Sequence, residues 1–262
     1  MEWEAPGIVL AAAPYGEGDA LATVLTQAHG AHRGLAKGGL SRARANVWQP
    51  GNLVQVRWVA RLHDQLGSFT AELVHPGAAL AMDDAMALAI LSSACAVAHG
   101  ALTEREAHPR VFAGLLQLIV GLGQGQAALT ELVRWEAAVL AELGYGMDLG
   151  SCALTGATAG LAFVSPRSGH AVCAAAAGPW QGRLLALPAF LLGDAPAGAA
   201  DWAAGLALTG HFLGRDAFGL QHKPLPPARL RLADRVAALA KDGAGNAGPT
   251  VAGAAGAGAP PA

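Results

Sequence analysis

Residues 20–63 read ALATVLTQAHGAHRGLAKGGLSRARANVWQPGNLVQVRWVARLH, a run of short strand-like segments broken by glycine turns. Apolar and polar positions alternate over 20–26, 31–36 and 53–62, the period of strands with one face in a core. His29-Gly30 and Gly38-Gly39 supply turn chemistry between the runs. Working outward, residues 7–13 and 66–73 show the same period, set off by Pro14-Tyr15-Gly16-Glu17-Gly18 on one side and a break near Asp64 on the other. Five short strands in about eighty residues suit a small barrel, with residues 37–52 as an excursion from it.

The same stretch carries Arg33, Lys37, Arg42, Arg44, Arg57 and Arg61 but no Asp or Glu, in a chain whose formal net charge is -2. A cationic surface on a small sheet points first to a polyanion, and among polyanions to nucleic acid. Aromatics lie at its edges. Trp58 and Phe69 fit the barrel interior, whereas Tyr15 and Trp48 are candidates for stacking on bases.

Composition bounds the rest. The 262 residues allow one large or two small domains, and 53% hydrophobic residues are ample for a core. The longest uncharged apolar run in a helical context, residues 85–98, falls short of the roughly 20 residues a membrane span needs, so it reads as a buried helix. Met1-Glu2-Trp3-Glu4 is acidic and lacks the positive region of a secretory signal, which implies a cytoplasmic protein. Cys95, Cys152 and Cys173 are odd in number and far apart, as expected in a reducing compartment.

After His75-Pro76-Gly77 the period becomes helical. Asp83-Asp84 can cap a helix running to about Gly100. Further helices fit 109–122 and 127–143, where Leu129, Leu132, Val133, Val139, Leu140 and Leu143 share a face and Gly144 supplies the stop. Residues 146–186 are irregular, and helices return over 201–213 and 227–240. The fold class is thus α+β: a five-stranded barrel over 1–78, a helical domain over 79–242, and a Gly/Ala/Pro tail over 243–262 that is expected to be disordered.

Catalytic motifs are weak. Ser165-Pro166-Arg167-Ser168-Gly169-His170 puts hydroxyls near an imidazole, but no nucleophile elbow or orienting acid accompanies them, and a β-turn explains the sequence. Gly38-Gly39-Leu40-Ser41 lacks the spacing and the Lys of a phosphate-binding loop. The histidines are scattered without metal-ligand spacing, and His211 fits a core or interface position. Cys152-Ala153-Leu154-Thr155-Gly156 and Cys173-Ala174-Ala175-Ala176 have the outline of two Cys-x-x-Cys knuckles, but Thr155 and Ala176 stand at the second positions. Two thiolates do not hold structural zinc, so a metal-free subdomain packed by Leu161, Phe163 and Val172 is expected. Neither metal nor cofactor is assigned.

Several motifs in order carry a resemblance. Tyr15-Gly16-Glu17 with Asp19, then Thr26, Gly30, Lys37-Gly38, Ser41-Arg42 and Gln49-Pro50 with Leu53 and Val56, resemble the N-terminal barrel of the RecO family of bacterial recombination mediators. Arg134-Trp135-Glu136 leading to Leu140, Leu143-Gly144-Tyr145 and Leu149 is similar to that family's central helix. Cys152, Gly156, Phe163, Ser165, Gly169 and Cys173 match its knuckle region, here degenerate and placed at 147–180. Lys223-Pro224-Leu225 with Arg229 resembles its C-terminal segment, with Ala228 where the family commonly has Ser. The resemblance covers residues 5–240.

The resemblance implies an OB-fold barrel followed by an all-α domain, and a protein that binds single- and double-stranded DNA and anneals complementary strands. It also implies help in loading RecA onto DNA coated by the single-stranded-DNA-binding protein (SSB), together with RecR, at the nucleoid. No covalent chemistry is involved, so the chain is not expected to be an enzyme. Arg33, Lys37, Arg42, Arg44, Arg57 and Arg61 would form the phosphate track, with Trp48 stacking a base. In the family the acidic, hydrophobic C-terminal tail of SSB docks on the helical domain, and Arg134 stands where a tail-contacting arginine would be. The other reading of Arg134 is a solvated helix-face residue paired with Glu131 or with groups on the Glu136 side. A protein-interaction adaptor whose basic barrel meets an acidic partner is the alternative function.

Overall fold

The computed structural model describes residues 1–62 and 65–246. Five strands, β1 (Glu2–Tyr15), β2 (Asp19–Thr26), β3 (Gly30–Ala36), β4 (Leu53–Val59) and β5 (Ser68–His75), close into a barrel in the order β1-β2-β3-β5-β4. β1 is long enough to pair antiparallel with both β2 and β4, and a bulge between Val9 and Ala11 bends it round the barrel. The parallel closure of β3 on β5 is short, formed by Leu35 with Ser68 and Ala36 with Phe69. This connectivity is that of an OB fold.

Alternation sorts the strand residues onto two faces. Val9, Val24, Val54, Val56, Trp58 and Phe69 fill the barrel, and the small Ala20, Ala22 and Ala36 leave room for the rings. The Trp58 indole N–H, which would be costly to bury alone, donates to the Leu66 carbonyl at 3.1 Å. Ile8, Leu10, Leu25 and Ala31 point the other way, into the core of the second domain. The barrel is thereby fused to the helices by apolar burial rather than joined by a linker.

The second domain comprises α1 (Gly77–Ala81), α2 (Ala85–Ala101), α3 (Pro109–Gly121), α4 (Ala127–Glu142), β6 (Leu161–Val164), β7 (Ala171–Cys173), α5 (Ala174–Ala177), β8 (Leu185–Ala186), α6 (Ala199–Phe212) and α7 (Pro227–Asn246). The Asp84 carboxylate caps α2 by accepting from the N–H groups of Met86 (2.7 Å) and Ala87 (3.3 Å). Pro109 occupies the first turn of α3, where its missing N–H costs nothing. α7 continues into the stretch expected to be a disordered tail, and the remainder of that stretch, from residue 247, lies outside the described residues.

The helical domain carries a small sheet within and beside its irregular insertion. Residues read as irregular form a three-stranded antiparallel sheet in the order β7-β6-β8. Strands this short, of two to four residues, leave no periodic trace for a sequence reading to find.

Two contacts hold the architecture in place. Gly30, with φ of +64°, brings β3 so close to the segment after α2 that a Cβ would lie 1.9 Å from the Glu106 carbonyl oxygen. Deep in the helical domain, the Arg229 guanidinium meets the Glu136 carboxylate in a two-pronged pair, Nε to Oε1 at 2.5 Å and Nη2 to Oε2 at 2.9 Å. Both residues are completely buried, and the pair ties α7 to α4. Thr209 of α6 donates its hydroxyl to Glu136 Oε2 at 2.5 Å.

Candidate nucleic-acid interface

The segment from Lys37 to Asn52 is fastened along its length. Asp19 accepts from the Gly38 N–H at 2.6 Å, and the Leu40 N–H donates to the Gly18 carbonyl at 3.0 Å. At the far end the Asn52 amide donates to the Asn46 carbonyl at 2.6 Å, while its oxygen accepts from the Ala78 N–H at 3.1 Å. Consecutive turns, Arg44 N–H to Ser41 O (2.9 Å) and Val47 N–H to Arg44 O (3.0 Å), leave Arg42 and Arg44 exposed.

Trp48 requires a correction. Its ring is 5% exposed and stacks on Phe69 inside the barrel, with centroids 6.1 Å apart. Burial of so large an apolar ring outweighs exposure in a charged loop, and the indole is an anchor rather than a platform for a base.

Between this loop and β5 lies a groove of about 340 Å³ onto which Lys37, Arg44 and Arg57 project. Glu4 and Glu72 share it, so the surface is mixed rather than uniformly basic. Lys37, Arg42, Arg44 and Arg61 make no ion pair among the described residues. Arg44 donates to the Lys37 carbonyl at 3.3 Å, which keeps the two side chains together. Arg57 pairs with Glu2 at 2.6 Å, its hydrogen bond holding the Glu2 carboxyl below its usual range and raising the guanidinium pKa. Both partners are half exposed, and such a pair yields readily to salt or to a competing phosphate.

The six cations do not all line one groove. Arg33 pairs with Glu104 at 3.2 Å and borders a separate cavity with His99 and Lys223 at the junction of the two domains. Arg61 is exposed just beyond β4, at the barrel end. Arg134 on α4 is also not a free cation: it donates to the carbonyls of Phe190 (3.1 Å) and Gly193 (3.0 Å) and pairs with Glu131 at 3.0 Å. Its guanidinium clasps residues 190–194, because carbonyls left unpaired there find in it a donor of matching geometry.

An aromatic column at one end of the barrel escaped the sequence reading. The rings of His29, Trp3 and Trp58 stack in succession, with centroids 4.3 and 5.9 Å apart. Burial lowers the pKa of His29 and of His32, which meets Trp58 edge-on at 4.9 Å. Trp3 lies on the inward alternation of β1, a signal that becomes visible once that strand is extended back to Glu2.

The knuckle region does not suit a structural zinc. Cys152 and Cys173 are its only thiols, and the Thr155 hydroxyl lies 3.6 Å from Cys173 Sγ where a third ligand would be needed. No cluster of three or more His, Cys, Asp or Glu among the described residues is arranged to hold a metal. Nor is any helix among them long and apolar enough to cross a membrane.

Comparison with known proteins accounts for both domains. Residues 1–76 match the family model for the N-terminal part of recombination protein O, and residues 82–226 match the model for its C-terminal part. The chain is 58% identical over 242 residues to DNA repair protein RecO of Granulibacter bethesdensis, covering 91% of this chain and 97% of the relative. It is 60% identical over 240 residues to DNA repair protein RecO of Acidiphilium cryptum, covering 90% and 96%. The homologue from Gluconacetobacter diazotrophicus is 54% identical over 245 residues, covering 91% and 96%. With an OB barrel matching one model and the fused helical domain matching the other, the chain belongs to the RecO family.

Proposed function

We propose that this chain is a DNA-binding mediator of repair and recombination that anneals complementary single strands and, with RecR, helps RecA assemble on DNA coated by SSB. Family membership supports the role in DNA repair and recombination. The observation that carries the binding mode is the anchored loop of Lys37, Arg42 and Arg44, three exposed cations that make no ion pair among the described residues, beside the Arg57 groove. Phosphates neutralised there would let two strands approach with their mutual repulsion reduced. Arg57 joins by exchanging Glu2 for a phosphate. Arg33 and Arg61 extend the contact at the domain junction and the barrel end rather than along the same line. The proposed chemistry is non-covalent and requires no cofactor, and it places the protein with the nucleoid.

For the SSB tail, the helical domain supplies Arg134. The Phe190 and Gly193 carbonyls hold the guanidinium in position, while its carboxylate partners Glu131 and Asp194 are exposed and open to competition from an acidic peptide.

The test is strand annealing and salt-dependent binding by wild type against a Lys37/Arg42/Arg44 triple Ala variant. If all three contact phosphates, the slope of log K against log salt on single strands becomes shallower by roughly 2. Equal annealing rates and equal slopes would remove the loop from the mechanism. Absence of any DNA binding by wild type at low salt would favour the adaptor reading.

A further inference from the structure

Cys152 and Cys173 take no part in the proposed binding of DNA, yet the chain builds a specific environment round them. Cys152 opens a tight turn in which its N–H donates to the Ala157 carbonyl and its carbonyl accepts from Gly156, each at 2.8 Å. The Ala153 N–H donates to the Ala171 carbonyl at 2.9 Å, laying the turn against β7, which ends in Cys173. The Cys173 N–H then points at Cys152 Sγ from 3.2 Å. The Thr155 hydroxyl of the same turn lies 3.6 Å from the second sulfur, Cys173 Sγ.

A hydrogen-bond donor aimed at a sulfur stabilises its thiolate. The Thr155 hydroxyl and the Cys173 N–H, opposed by burial, bring the Cys152 thiol down to about 6. Cys95 shows the contrast: buried among helices without such donors, its thiol is pushed up to about 12. Both members of the pair are buried, but residues 153–160, which follow Cys152, are all exposed, so the cover over the sulfurs is thin. Donors of this kind commonly surround metal-bound sulfur, but among the described residues no third His, Cys, Asp or Glu joins the two thiols in a metal-binding group.

We propose that Cys152 and Cys173 form a thiol–disulfide redox site whose oxidant is a hydroperoxide. The Cys152 thiolate attacks the terminal peroxide oxygen, the O–O bond breaks, and the departing hydroxide or alkoxide takes up a proton. Cys152 is then a sulfenic acid. Cys173 sulfur attacks that sulfur, the S–O bond breaks, and hydroxide leaves with the proton that Cys173 gives up. The two cysteines lose two electrons and two protons in all, and the peroxide is reduced to water, or to an alcohol and water. The approach of the Cys173 N–H to Cys152 Sγ at 3.2 Å already holds the two residues side by side, and a dithiol reductant reverses the reaction.

The experiment exposes the reduced full-length protein to hydrogen peroxide at a series of pH values. Remaining thiols are blocked with iodoacetamide and the peptides mapped by mass. The expected product is a cross-linked pair of peptides lighter by two hydrogens, with Cys152 and Cys173 lost from alkylation together and Cys95 still reduced. Its rate should rise with pH through a midpoint near 6, and Thr155→Val should move that midpoint upward and slow the reaction. Cys173→Ser should leave a sulfenic acid on Cys152 that a dimedone-type reagent captures. The proposal is overturned if Cys152 proceeds to sulfinic acid while Cys173 remains alkylatable, or if neither thiol reacts faster than Cys95. Mapping of the wild-type protein decides the matter even where a variant fails to fold.

Discussion

Replacing Arg229 by Met tests the packing of the helical domain at its most consequential point. The substitution keeps an unbranched side chain of similar length but removes every donor that Arg229 directs at Glu136. The Glu136 carboxylate, with none of its surface exposed, is left with the Thr209 hydroxyl alone. Breaking a buried pair from one side costs about 3–5 kcal/mol, a large share of the roughly 5–15 kcal/mol that stabilises a typical domain. The double variant Glu136→Met/Arg229→Met should behave differently. Thr209 can still donate to the Gly205 carbonyl, 3.1 Å away, and the Leu206 carbonyl that Arg229 contacted keeps its place in α6. No charge is then stranded, and stability should return to within about 1–2 kcal/mol of wild type or exceed it. Urea unfolding followed by tryptophan fluorescence and far-ultraviolet circular dichroism measures all four corners of the cycle, with coincident transitions confirming that one free energy describes each. A loss below about 1 kcal/mol in Arg229→Met, or a double variant as unstable as the single one, would refute the reasoning.

Other expectations follow from the same contacts. Asp84→Ala removes the α2 cap and should cost about 1 kcal/mol in denaturant unfolding, whereas Asp84→Ser should restore most of it. Trp48→Ala empties the space against Phe69 and should cost about 3–5 kcal/mol, with weaker annealing as the loop loosens; unchanged stability would mean that the ring is not buried in solution. The pH dependence of the barrel has a definite sign. Burial lowers the folded-state pKa of His32 from 6.5, with Arg105 and His29 adding to the effect and the His29 carbonyl and Glu104 opposing it. Its neutral form is therefore favoured by folding, and the associated stability is complete above about 6.5 and lost as pH falls through the lower folded value. The denaturation midpoint should drop on acidification, and His32→Phe should flatten that drop; an unaltered slope would exclude His32 as the source.

Much of the barrel could be read from alternation, because strands half-buried on both sides of a curved sheet impose a period of two at every turn of chain. The helix beginning at Ala85 was equally legible from Asp83-Asp84, since capping is local chemistry. What escaped were contacts between residues distant in sequence. The basic stretch holds no acid, but Glu2 and Glu104 come from outside it to meet Arg57 and Arg33. Arg134 looked like an available cation because the carbonyls it holds lie 56 and 59 residues further on. Trp48 sits in a loop without period, where nothing in the neighbouring residues distinguishes an anchor from an exposed ring. Family resemblance located Arg229 and Glu136 as motif residues, yet not as partners 93 positions apart.

The wedge that Trp48 drives into the barrel bears on how tightly a small cationic segment can hold a polymer. A free basic arm surrenders its conformational freedom when it captures a strand, and that loss is subtracted from whatever its charges gain. Here folding has already immobilised the backbone beneath Arg42 and Arg44, so encounter freezes little more than side-chain rotors. In the proposed binding mode such preorganised charges would grip and release successive stretches of backbone quickly, which suits pairing two complementary strands better than storing one.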